Sequence, residues 1–190
     1  MKKSLGAKTL AIPTPVWVIG SYDKNDKPNA MTVAWGGICC SKPPSVTISL
    51  RKATYTYDCL MQRKAYTVNI PSQKQIAEAD YCGIASGRKT DKFADTGLTA
   101  VKSEHVDAPL IEEFPLVLEC KVNHTLEVGL HTLFIAEIMN VRVDDNIVSN
   151  NGLPELSKLQ PVLYSPADHG YYTSGAQIGE AYEIGKKFQK

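Results

Sequence analysis

Short runs of β-branched and aromatic residues, set apart by polar turns, dominate the first three-quarters of the chain. Pro15-Val16-Trp17-Val18-Ile19-Gly20 reads as a first strand. The polar turn Asp23-Lys24-Asn25-Asp26-Lys27-Pro28 leads into a second strand from Asn29, which predicts a hairpin with a longer loop. Pro43-Pro44 breaks the chain before a third strand, Ser45-Val46-Thr47-Ile48-Ser49-Leu50. Thr54 to Lys64 reads as a short helix with Thr54 at its N-cap. Ala65 to Ile70 returns as a strand, and Pro71 ends it. Ser72 and Gln75 have capping-box spacing and predict a second helix to about Cys82. The polar, glycine-punctuated stretch from Gly83 to Phe93 reads as a loop. Leu116 to Glu127 and Leu130 to Val143 read as two long strands joined tightly near Val128-Gly129.

About six strands against two or three short helices make the chain mainly β with short helices. The lack of regular βαβ alternation argues for a β-barrel over a Rossmann sheet. At 190 residues the whole chain, 1–190, fits one domain. From about Asn150 the chain is interrupted by Pro154, Pro161, Pro166 and several glycines. Residues 150–190 are therefore expected to form a C-terminal extension packing on the barrel or on a partner subunit.

Charge narrows the function. Lys and Arg number 21 against 20 Asp and Glu, a net +1, which gives no reason to expect nucleic acid or a membrane surface as partner. No apolar run is long enough to span a bilayer, and the start lacks the features of a signal peptide, so the expected location is cytoplasmic. The five cysteines are odd in number, widely spaced and without CxxC, which opposes a disulfide framework or zinc knuckle. They are expected to be buried structural thiols, including the adjacent Cys39-Cys40, whose side chains on one strand point to opposite faces. A two-residue turn at Val128-Gly129 would put Cys120, His124, His131 and Glu137 on one face. A metal site there is the lesser reading, and His131 near a cofactor or at a dimer interface the better one.

The richest chemistry lies between Asn29 and Thr56. Thr54 and Thr56 flank the start of the predicted helix, beside Arg51-Lys52, and hydroxyls with free amides at a helix start suit a phosphate. N-capping alone is the competing reading for Thr54. The strand before them, with small and hydroxylated side chains, could lie against a flat group attached to that phosphate. Neither GxGxxG nor GxxxxGK[ST] occurs, so a dedicated nicotinamide-binding domain is not expected.

The ordered runs NAMTVAW, PPSVTISLRKATYT, YTVNIPS, SGRKTDKF and GLHTLFIAEIMNV resemble the flavin reductase-like FMN-binding split-barrel family, its flavoredoxin branch in particular. The resemblance covers roughly residues 10 to 145. Tyr164 and Tyr171-Tyr172 resemble the flavoredoxin ending less specifically. It implies a six-stranded Greek-key split barrel, a homodimer and FMN near the subunit interface. Asn29, Met31, Thr32, Val33, Ala34 and Trp35 would then lie along the isoalloxazine ring, and Ser49, Leu50, Arg51 and Lys52 along the ribityl chain. Thr54, Tyr55 and Thr56 would hold the phosphate, with Ser86, Gly87, Arg88, Lys89 and Lys92 closing over it, Arg51 as a planar fork and Lys92 as a mobile point charge. The implied function is an FMN-dependent oxidoreductase with no catalytic side chain and no metal of its own. NAD(P)H or a redox protein would donate electrons to a small-molecule or protein acceptor. A non-catalytic FMN-binding or storage module and a metal-binding or purely structural β-barrel are the alternatives.

Overall fold

The computed structural model describes residues 1–189. Its strands are β1 (Thr14–Pro15), β2 (Trp17–Tyr22), β3 (Pro28–Val33), β4 (Gly36–Ser41), β5 (Pro44–Arg51), β6 (Ala65–Ile70), β7 (Ala100–Lys102), β8 (Pro109–Ile111), β9 (Leu116–Val128), β10 (His131–Val143), β11 (Val162–Ser165) and β12 (Gly170–Thr173). Four helices interrupt them: α1 (Tyr55–Arg63), α2 (Ile76–Ile84), α3 (Lys92–Thr96) and α4 (Leu156–Leu159).

Seven strands form one antiparallel sheet in the order β3-β2-β6-β9-β10-β5-β4. Its two edge strands, β3 and β4, follow one another in sequence, joined only by Ala34-Trp35. The sheet must therefore curl until its edges meet, and the Ser49 amide donates to the Trp35 carbonyl at 2.9 Å, continuing the β4–β5 pairing one residue into the link between the edges. This is a split barrel whose second predicted strand is broken in two. Trp17 faces Gly36 at the break, where a Cβ would lie 2.6 Å from the Trp17 ring, so the chain needs glycine there.

The barrel interior holds Ile48, Leu50, Leu60, Tyr66 and Phe134, all at most 1% exposed. A Phe or Leu buried this fully contributes about 1.5–3 kcal/mol. A second core, with Val18, Ala30, Ala79, Cys82 and Ile111, seals β2 and β3 under α2 and α3. The β11–β12 hairpin extends a small sheet through β1, with Thr14 opposite Tyr164. Among the described residues no helix is long and apolar enough to cross a membrane.

Several expectations are corrected. The first strand of the barrel starts at Trp17 rather than Pro15, because Thr14–Pro15 pairs with β11 instead. The long hairpin turns at Gly129-Leu130, with Gly129 at φ +53° and His131 opposite Val128, one residue later than the pattern suggested. A bulge between Ile135 and Ala136 then changes the side-chain phase, leaving Cys120 buried and His124 exposed. Among the described residues no three His, Cys, Asp or Glu side chains gather as a metal-holding group. Cys59, Cys82 and Cys120 are buried, but Cys39 and Cys40 are exposed, because they lie on edge strand β4 at a bulge between Ile38 and Cys40.

Candidate functional site

The turn Arg51–Thr54 delivers the chain from β5 into α1. The Thr54 amide donates to the Arg51 carbonyl at 3.0 Å, and the Thr54 hydroxyl donates to the same oxygen at 2.9 Å. Thr54 is thus the N-cap residue by backbone position, yet its side chain makes no capping bond. The first-turn amides of α1 have no acceptor within the helix. Thr56 is buried, and its oxygen accepts from Asn29 Nδ2 at 2.9 Å, which ties α1 to β3.

Tyr55 is placed by a residue the sequence showed only as part of a turn. Asp23 accepts from the amides of Asn25 and Lys27 at 2.7 and 2.9 Å, and from the Tyr55 hydroxyl at 2.8 Å. Burial and the Asp23 carboxylate push the Tyr55 phenol up to about 12, so it stays a proton donor. Against the Tyr55 ring lies Gly87, whose Cα approaches so closely that a Cβ would overlap Asn29 Oδ1 and sit 2.7 Å from Tyr55 Cδ1. Arg88 continues over the ring at 5.4 Å, donating to the Ala53 carbonyl at 2.9 Å and pairing with Asp58 at 2.5 Å. The loop after α2 is thereby clamped onto the start of α1.

Between them is a cleft of ≈ 230 Å³ lined by Asn29, Met31, Ala53, Thr54, Tyr55, Thr56, residues 83–87 and Lys92. Lys92 is its charge. The residue is 5% exposed, and Nζ donates to the carbonyls of Ala30 and Cys82 at 2.7 and 2.8 Å. Among the described residues no carboxylate pairs with it, and burial pushes its ammonium below the usual lysine range. Lys92 is therefore a fixed, buried cation rather than a mobile one. An unpaired buried cation is costly unless something anionic completes it.

Two further clefts continue from this one. Gly83 and Ile84 are shared with a cleft of ≈ 310 Å³ that also takes in Thr32, Val33 and Ala34. Ala34 in turn is shared with a cleft of ≈ 540 Å³ bounded by Trp35, Gly36, Ser49 and the N-terminal Thr9, Ala11, Pro13, Thr14 and Pro15. The path runs along β3 to the barrel closure. Asn29, Met31, Thr54, Tyr55, Thr56, Ser86, Gly87 and Lys92 thus meet in the first cleft. Thr32, Val33, Ala34, Trp35 and Ser49 line the other two.

The remaining candidates stand outside these walls. Leu50 points into the barrel core. Arg51 is exposed at the end of β5, opposite His131, and Lys52 pairs with Glu127 at 2.6 Å. Arg88 is engaged with Asp58, and Lys89 is exposed at the loop surface. Asp23 was the positioning residue that sequence reading missed; the polar turn Asp23–Pro28 was its only signal. Also missed were Ala53 and Ile84, which carry no chemical signature.

A barrel closed at a split strand carries, at the start of α1, a cleft walled by a buried cation. The Flavin reductase like domain family model matches residues 9–172, and the chain belongs to that family. It is similar to the flavoredoxin of Desulfovibrio vulgaris (Miyazaki F), at 51% identity and a TM-score of 0.94, covering 98% of this chain and 100% of that one. The flavoredoxin of Methanosarcina acetivorans is similar at 30% identity and a TM-score of 0.91, covering 98% and 99%. The FMN reductase (NADH) RutF of Pseudomonas syringae pv. syringae shares 24% identity over 53% of this chain, a stretch spanning about half (54%) of RutF.

Proposed function

We propose that this protein binds FMN along the three connected clefts and works as an oxidoreductase of flavin reductase or flavoredoxin type. The observation that carries the reading is Lys92, a buried ammonium with two neutral acceptors, no acidic partner among the described residues and a place in the wall of the first cleft. A phosphate dianion is the partner it lacks, and charge-assisted bonds of this kind are the strong ones. The first-turn amides of α1, the Thr56 hydroxyl and the backbone of Ser86 and Gly87 complete the anion site. The isoalloxazine ring would lie along Thr32 to Trp35 with Ser49 at its far end, and the ribityl chain beside Asn29 and Met31. Arg51 and Lys89, exposed at the rim, add an outer positive field that draws the anion in, while Lys52 and Arg88 are offset by Glu127 and Asp58.

Bound flavin supplies the electron transfer, and the chain needs only to hold it and leave one face open. NAD(P)H is one donor, supported by the name of RutF. A redox protein is the other, supported by the flavoredoxin likeness. The exposed Leu126, Val128 and Leu130 at the tip of the β9–β10 hairpin support a homodimer, with residues 150–190 packing on the barrel or the partner. A cytoplasmic location fits this role.

Mixing FMN-loaded protein anaerobically with NADH or NADPH tests the reductase form. Bleaching faster than that of free FMN with the same donor is expected. No bleaching with either nucleotide removes NAD(P)H as donor and leaves the protein-coupled carrier; failure of any reduced redox protein as well leaves the storage module.

A further inference from the structure

The adjacent thiols Cys39 and Cys40 have no part in the flavin reading. Both are exposed on edge strand β4, but the bulge between Ile38 and Cys40 gives them different surroundings. Ile38 pairs with Val46, which belongs to the barrel core, whereas Cys40 pairs with Ser45, on the other face of β5. Cross-strand partners share a face, so Cys40 points away from the core. Cys39 is the extra residue, left without a partner and re-aimed by the bulge.

Tyr66 stands at the same end of the barrel. It faces Cys120 on β9, and Cys120 faces Ile138 on β10. The neighbouring Glu137 faces Ser45, which in turn faces Cys40. Tyr66 is 0% exposed, and its hydroxyl has no hydrogen-bond partner among the described residues. Native structures leave few buried hydroxyls in that state. Burial pushes the phenol well above its usual range, and negative charge on Cys120 or Cys39 would push it further. The hydroxyl therefore stays a donor, and Cys39 lies within its electrostatic reach. Cys120 is buried, its thiol donating to the Leu118 carbonyl at 3.7 Å, so Cys39 is the nearby sulfur that solvent reaches.

We propose that Cys39 is a modification site for hydrogen peroxide and that the Tyr66 hydroxyl holds the product, a persistent sulfenic acid. The Cys39 sulfur attacks one peroxide oxygen and the O–O bond breaks. The other oxygen leaves as hydroxide and takes up the thiol proton, so thiol and peroxide become sulfenic acid and water. Sulfur gives up one electron pair, and the peroxide accepts it. The new oxygen on sulfur is the acceptor that Tyr66 lacks. Cys40 is turned to the other face, so the sulfenic acid does not close to a disulfide. Hydrogen peroxide forms whenever flavin-bound electrons pass to dioxygen, so the proposed function would supply the oxidant; the site itself stands without that reading.

The reduced full-length protein is pulsed with hydrogen peroxide in the presence of a cyclic 1,3-dione, which traps sulfenic acids, and the adducts are located by fragment-ion mass spectrometry. Cys39 should gain adduct at least about tenfold faster than Cys40, as one hydrogen bond to developing charge would give. Tyr66→Phe, which keeps the ring, should bring the two thiols to within about twofold of each other. Cys40→Ser should leave the Cys39 rate unchanged, and it keeps the test valid if labelling of Cys120 shows that Tyr66→Phe loosens the barrel. Equal labelling of the two thiols in the parent, or a ratio unmoved by Tyr66→Phe, would overturn the proposal. So would a Cys39–Cys40 disulfide in place of the adduct, or loss of Cys39 labelling in Cys40→Ser.

Discussion

Replacing Lys92 by Met separates binding energy from stability in one variant. In the ligand-free chain two effects oppose each other. The substitution removes a buried charge that has no counter-ion, and it leaves the Ala30 and Cys82 carbonyls without their donor at 2.7 and 2.8 Å. Each orphaned carbonyl costs about 1–3 kcal/mol, and relief of the buried charge is of similar size, so the net change should stay within about 2 kcal/mol of zero. With FMN the two effects no longer cancel, because Lys92 would then hold a charge-assisted bond to phosphate. Losing it costs about 1.5–3 kcal/mol, or about 10- to 150-fold in Kd. Riboflavin, which lacks the phosphate, should bind the variant as it binds the parent. Flavin fluorescence titration gives both constants, and thermal unfolding without ligand gives the stability. Equal losses for FMN and riboflavin, or an unchanged FMN constant, would refute the assignment of Lys92 to the phosphate.

Gly87→Ala should weaken FMN and lower the unfolding midpoint, since its Cβ would overlap Asn29 and Tyr55; the strain is about 1–3 kcal/mol, and an unchanged midpoint would show that the loop does not pack as described. Glu119 is buried between β6 and β10; burial pushes its carboxyl up, but bonds from Ser103, Asn140 and the Glu104 amide, with Arg142 nearby, outweigh that and hold it below its ordinary 4.5. Its contribution is therefore full above the unfolded value and lost as pH falls through the lowered folded one. Glu119→Gln should cost about 1–3 kcal/mol at neutral pH, with the gap to the parent closing in acid; a gap independent of pH would contradict this. A chromogenic disulfide reagent should titrate two thiols rapidly, Cys39 and Cys40. The other three should react only on unfolding, because burial raises their thiols, that of Cys82 to about 11. Five fast thiols would contradict the packing of α1, α2 and β9.

Hydrophobic patterning showed most of the strands because each buries one face or two, and β-branched runs bounded by proline or polar turns are visible locally. The capping box at Ser72 and Gln75 was legible for the same reason, although it opens a 3₁₀ turn that runs into α2. What stayed hidden depends on contacts distant in sequence. The break at Ala34-Trp35 interrupts an unbroken apolar run, and its only local mark is Gly36-Gly37; the cause is Trp17, on another strand. The bulges in β9 and β10 change side-chain phase without changing composition, which is why the His124 face was misread.

At the site, the helix start and the Ser86–Gly87 loop were legible because hydroxyls, glycine and basic residues cluster there. The ranking of the charges was not. Arg51, Lys52, Arg88, Lys89 and Lys92 look alike in sequence. Only folding decides that Lys52 pairs with Glu127 and Arg88 with Asp58, while Lys92 is buried with no acid beside it. Asp23, 32 residues before the Tyr55 it positions, was invisible for the same reason.

The central claim is that the cleft at the start of α1 recognises a phosphate carried by a flavin. Equilibrium titration of the unmodified, flavin-free protein with FMN and with riboflavin tests it most directly. The account predicts one FMN per chain, bound at least about tenfold more tightly than riboflavin, the difference being the charge-assisted bonds to phosphate. Equal affinity for the two flavins, or no saturable binding of FMN, would contradict it.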